Sequence, residues 1–71
     1  MNYQECLTEA IRLALLVGKA TVVWFYPAIG EFSVSMGYAV TIGDPCGVAM
    51  AHVESNGNVV EREFDVKELC A

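Results

Sequence analysis

The side chains best suited to chemistry are few and scattered. Cysteines stand at Cys6, Cys46 and Cys70, and the single histidine is His52. A zinc site draws four ligands, or three and a water, from short recurring spacings. No CxxC pair occurs and no second histidine lies at ligand spacing from His52, so neither a metal nor another cofactor is expected. Ser33 and Ser35 alternate along an extended stretch with no oxyanion device beside them, and there is no GxxxxGK[ST] phosphate loop. His52 is the one group suited to proton transfer or pH sensing near neutrality. With nothing to complete a site around it, no catalytic residue is assigned and the chain is expected not to be an enzyme.

Charge narrows the partners. Four Lys+Arg against nine Asp+Glu give a net charge of −5, which leaves no basic stripe to neutralise phosphates. Direct nucleic-acid binding is therefore not expected, whereas a protein with a basic surface would be attracted. The run from Leu13 to Gly30 carries one charge, Lys19, but a lysine mid-span costs about 2.5–3.5 kcal/mol, Pro27 interrupts the run, and Glu5 and Glu9 precede it. A helix followed by a strand accounts for it better than a membrane span. An odd cysteine count with no secretory signal fits reduced thiols in a cytoplasm.

These residues must be positioned by a chain of 71 residues, read as a single domain, 1–71, without repeats or linkers. A domain this small buries only about 60% of its unfolded surface. Its 55% apolar content nevertheless exceeds the roughly 45–50% of ordinary soluble domains. Asn2 and Glu5 have the form of a capping box, and Gly18 suits a helix C-terminus, so Tyr3 to Val17 is predicted helical. Its apolar arc is centred on Ala10 and Ala14, with Leu16 projecting among Glu9 and Arg12. Thr21 to Tyr26 reads as a strand stopped by a Pro27 to Gly30 turn. Phe32 to Ile42 alternates large apolar with small residues as a second strand. Gly43 to Cys46 reads as a turn, Gly47 to Ser55 as a third strand, Asn56-Gly57 as a type I′ turn, and Asn58 to Phe64 as a fourth strand. Asp65 would cap a terminal turn reaching Leu69, whose Val66 and Leu69 would cover Leu16. The predicted fold is α+β: a two-layer αββββ domain with the N-terminal helix packed on one face of a four-stranded antiparallel meander, closed by a short C-terminal helical turn.

A two-residue turn at Asn56-Gly57 sets Val53 opposite Val60, Ala51 opposite Arg62, His52 opposite Glu61 and Met50 opposite Glu63. Ala49, Ala51, Val53, Val60 and Phe64 then face the helix with Val23, Phe25, Phe32 and Val34. The opposite face carries Val22, Trp24, Tyr26, Val48, Met50 and His52 beside small residues of the second strand. Large apolar groups on a face turned from the core forgo about 1.5–3 kcal/mol of burial each. That face is predicted to be a contact surface, with Trp24, Tyr26 and Met50 as anchors, His52 among them, and Glu54, Glu61 and Glu63 as an acidic rim.

The functional expectation is a non-enzymatic, small acidic protein-protein interaction domain that occludes a basic surface. In size and charge alone it is similar to phage and mobile-element inhibitors of nucleic-acid-handling host defence complexes, anti-CRISPR proteins among them; no family motif carries that likeness. One alternative is a structural homodimer or assembly subunit joined through the open sheet face. Another is a small-molecule binder or enzyme using a trough near His52.

Overall fold

The structure, a computed structural model, describes residues 2–36 and 47–64, with the backbone alone at 63 and 64. The predicted extension of the second strand to Ile42, the Gly43 to Cys46 turn and the terminal helical turn from Asp65 lie outside the described residues. Helix α1 (Tyr3–Val17) opens as predicted: the Asn2 side chain accepts from the Glu5 amide at 2.8 Å while the Glu5 carboxylate accepts from the Asn2 amide at 3.2 Å. It ends at Gly18, whose φ of 73° places it in the left-handed region and whose amide donates to the Ala14 carbonyl. Strands β1 (Thr21–Tyr26), β2 (Glu31–Met36), β3 (Val48–Val53) and β4 (Val59–Phe64) form one antiparallel sheet with α1 packed on it, an α+β fold.

The strand order is β2-β1-β3-β4, which corrects the expected meander. β2 and β3 are both antiparallel to β1 and flank it, so they run parallel to each other and their connection is a crossover, not a hairpin. Composition explains the placement. β1 (TVVWFY) is apolar on both faces, and Thr21 to Trp24 are all buried, as a central strand requires. β2 alternates Glu31, Ser33 and Ser35 with apolar residues, and β4 carries Glu61, Arg62 and Glu63, so both tolerate an edge.

The core between α1 and the sheet is built from small groups. Cys6, Ala10 and Ala14 pack on Val23, Ala51 and Val53, with Tyr3, Leu7, Ile11, Phe32, Val34 and Val59 around them. The alanines bring the helix close enough for the buried Thr21 hydroxyl to donate to the Ala10 carbonyl at 2.8 Å, satisfying a polar group that would otherwise cost about 1–3 kcal/mol.

Two local features overturn the expected β3-β4 register. The hairpin is not type I′, because that turn needs φ > 0 at both central residues, and only Gly57 (φ 88°) has it. Instead the Gly57 amide donates to the Glu54 carbonyl and the Glu54 amide to that of Asn58, both at 2.8 Å, closing a three-residue loop over Ser55, Asn56 and Gly57. Val53 consequently faces Val59, His52 faces Val60 and Ala51 faces Glu61. A one-residue slip exchanges faces. Val59 takes the helix-side place expected for Val60, and Val60 moves to the other side with Val22, Trp24 and Ala49. The second feature is a bulge at Met50: β1 pairs Val23 with Ala51 and then Trp24 with Ala49. That irregularity carries Ala49 away from the helix, opposite to its expected face.

Candidate functional site

The face of the sheet turned from α1 is where the sequence places its contact surface, and its centre is not exposed. Val22, Trp24 and Ala49 form a second buried cluster, with Tyr26 and Val60 half-buried against it. Trp24 is 2% exposed, and its indole Nε1 donates to the Ser35 hydroxyl at 2.7 Å. Gly47 lies directly on these rings: a Cβ added there would stand 3.0 Å from Tyr26 Cε1 and 3.4 Å from Trp24 Cε3. Trp24 is therefore core, a correction to its expected role as an exposed anchor. The physical reason is that a buried indole needs one partner for its N–H, and Ser35, one strand away on the same face, supplies it.

The remaining predicted residues separate. Met50 is half-buried at the bulge, and His52 is half-buried opposite Val22 on β1 and Val60 on β4. Glu54 is exposed at the hairpin. Glu61 does not face His52; it lies on the helix side, where its Oε2 accepts the Tyr3 hydroxyl at 2.9 Å. Glu63 belongs to β4, and its side chain lies outside the described residues. The structure thus brings Trp24 and Tyr26 together but places neither Glu54 nor Glu61 beside them.

Near His52 there is a shallow, open depression where Gly18 to Ala20 meet the β3-β4 hairpin, with Lys19, His52, Glu54, Ser55 and Asn56 at its walls. Its wide mouth excludes little water, so it lacks the enclosure that strengthens electrostatic interactions in a catalytic site. Among the described residues no group of three His, Cys, Asp or Glu side chains could hold a metal ion. Cys6 is fully buried at the core, and its thiol is pushed up, chiefly by that burial. A thiol held protonated in this way is a poor nucleophile.

No protein-family model, curated protein or solved structure matches this chain. Its functional reading therefore rests on its own surface.

The strongest exposed feature was only partly legible in the sequence, which singled out Leu16 beside Glu9 and Arg12 but not its neighbours. Leu15, Leu16 and Val17 in the last turn of α1 are 58%, 71% and 44% exposed. Leu16 was expected to lie under Val66 and Leu69, which are outside the described residues. Leu15 was not singled out at all, although a 100° step from Ala14 carries it off the apolar arc. Val17 is on the arc yet exposed. Leu15 Cδ2 lies 3.1 Å from where a Cβ on Gly57 would stand, so this apolar turn abuts the hairpin that carries Glu54. Glu9 and Arg12 extend the same end of the helix and pair with each other: Arg12 Nε donates to Glu9 Oε2 at 3.0 Å, which holds the Glu9 carboxyl below its usual range. No helix among the described residues is long and apolar enough to cross a membrane.

Proposed function

We propose that this chain is a non-enzymatic protein-protein interaction domain that occludes a basic surface, its targets being nucleic-acid-handling complexes of the kind that host defence systems use. The observation that carries this reading is the pairing of an exposed apolar turn, Leu15 to Val17, with the adjoining hairpin carboxylate of Glu54 in a chain of net charge −5. An apolar centre with a charged rim is the ordinary anatomy of a protein interface. Carboxylates displayed by a small folded body would occupy the lysines and arginines that otherwise hold phosphates, so the mechanism is competition for a cationic path. Size and charge support the assignment to inhibitors of defence complexes.

This contact surface differs from the one expected from sequence. Trp24, Val22 and Ala49 are already buried within one chain, so neither a partner nor a face-to-face dimer gains by covering them. The small-molecule alternative would use the depression at His52 and Lys19.

The test is affinity capture from the native host lysate with the intact chain, followed by competition with DNA and RNA. Capture is expected to fall at least tenfold for Leu16→Asp and for Glu54→Lys, and to be displaced by nucleic acid. Capture that survives both substitutions and both competitors would falsify the reading, while loss of binding in His52→Ala alone would favour the depression.

A further inference from the structure

The β3-β4 hairpin presents a chemically labile dipeptide in an accessible setting. Asn56 is exposed in the three-residue loop, and Gly57 has no side chain to stand between its own amide nitrogen and the Asn56 Cγ. The Asn58 amide donates to Asn56 Oδ1 at 2.9 Å. That N–H is aimed at the oxygen on which negative charge develops when a nucleophile adds to Cγ, so it stabilises the addition. The chain's other two asparagines lack this combination. Asn2 precedes Tyr3 and is engaged in the capping box, while Asn58 precedes the β-branched Val59 and donates from Nδ2 to Glu54 Oε2 at 3.3 Å.

We propose that Asn56 is a site of spontaneous covalent modification, an intramolecular deamidation through a succinimide with water as the only co-reactant, gated by the hydrogen bond from Gly57 to Glu54. The Gly57 amide nitrogen gives its proton to solvent base and bonds to Asn56 Cγ. The bond from Cγ to Nδ2 then breaks, Nδ2 takes up a proton, and ammonia leaves. Water opens the resulting ring in one of two ways. Cleaving the new bond between Cγ and the Gly57 nitrogen leaves aspartate in an unaltered main chain. Cleaving the bond from the main-chain carbonyl carbon of residue 56 to that nitrogen leaves isoaspartate, with the main chain rerouted through Cβ and Cγ. No electrons are exchanged with any other group.

The closed hairpin holds the nucleophile back. The Gly57 N–H is committed to the Glu54 carbonyl at 2.8 Å, and Leu15 is seated against Gly57, its Cδ2 3.1 Å from where a Cβ would stand. Reaction therefore proceeds from a loop that has opened locally, a motion that leaves the rest of the sheet paired. The two products differ in what they do to the hairpin. Both add one carboxylate to a loop that already carries Glu54, in a chain of net charge −5. Aspartate keeps an acceptor for the Asn58 amide. Isoaspartate inserts an extra main-chain atom into a loop closed by two hydrogen bonds of 2.8 Å, and so releases the constraint that sets Val59 against Val53.

The experiment is incubation of the full chain at mildly alkaline pH, followed over time by intact mass and by peptide mapping that separates aspartate from isoaspartate. Conversion at Asn56 is expected to run at least tenfold ahead of conversion at Asn2 and Asn58. Leu15→Ala, which unseats Gly57, should speed it several-fold by easing the local opening. Full retention of Asn56, or conversion no faster there than at Asn2 and Asn58, overturns the site, and an unchanged rate in Leu15→Ala overturns the gate. If Leu15→Ala does not fold, urea below the unfolding transition of the unchanged chain takes its place: the rate at Asn56 should rise with urea, and a flat response overturns the gate.

Discussion

Tyr3 joins the two ends of the described chain. Its ring packs against Phe32, with centroids 5.8 Å apart, while its hydroxyl donates to Glu61 from the first turn of the helix. Burial, the hydrogen bond to Glu61 and the charge of that carboxylate all push the phenol up from its ordinary value. A group whose folded pKa is raised contributes stability that is complete below its unfolded pKa, near 10, and is lost as pH rises through the folded value. Tyr3→Phe is accordingly expected to cost about 0.5–1.5 kcal/mol at pH 7 in urea unfolding and to reduce the alkaline loss of stability. An alkaline loss as large in Tyr3→Phe as in the unchanged chain would contradict this. Trp24 carries the second prediction at this scale. Because it is 2% exposed and bonded to Ser35, Trp24→Ala should destabilise by about 3–5 kcal/mol, enough to unfold a marginal domain. Circular dichroism would check it; a well-folded Trp24→Ala protein would show that the indole is not core.

At the scale of elements, the hairpin at Ser55 to Gly57 decides which face each β4 residue takes. Gly57 has φ 88°, and a Cβ on it would meet Leu15 Cδ2 at 3.1 Å, so Gly57→Ala combines backbone strain with a clash. A loss of about 1–3 kcal/mol is expected in thermal or urea unfolding, part of it relieved by Leu15→Ala, whose shorter side chain removes the clash. Equal losses in the single and double variants would place the whole cost in the backbone. The same hairpin shows what was legible beforehand. The capping box of Asn2 and Glu5, the stop at Gly18 and the full extent of β1 could be read because local chemistry alone decides them. The Asn56-Gly57 dipeptide also marked its hairpin correctly. It could not tell a two-residue loop from a three-residue one, since both use a glycine with positive φ, and that single step exchanged Val59 with Val60 and moved Glu61 from His52 to Tyr3. The Met50 bulge had no local signal, being set by how β3 meets its neighbours on both sides. Nor could strand order be read. The double-sided apolar character of β1 pointed to a central place, yet turn-by-turn reasoning put it at an edge. Within the expected site, Trp24 looked exposed only while its face was taken to be open.

Across the whole molecule, charge gives the proposed contact a definite response to salt. Occlusion of a basic partner is an attraction between unlike charges, and rising ionic strength should weaken it. Capture measured across a salt series is therefore expected to fall as ionic strength rises; capture that is unchanged or strengthened would contradict occlusion of a basic partner. The strand order has a spectroscopic corollary. β1-β2 and β3-β4 are each hairpins of adjacent pairs, and they meet along the single β1-β3 ladder, where Trp24 sits between Ser33 on one side and Ala49 on the other. Trp24 is also the chain's one tryptophan. Its emission is thus a native optical reporter of that seam: blue-shifted and shielded from acrylamide while the hairpins are docked, and red-shifted as soon as they part, even if each keeps its own hydrogen bonds.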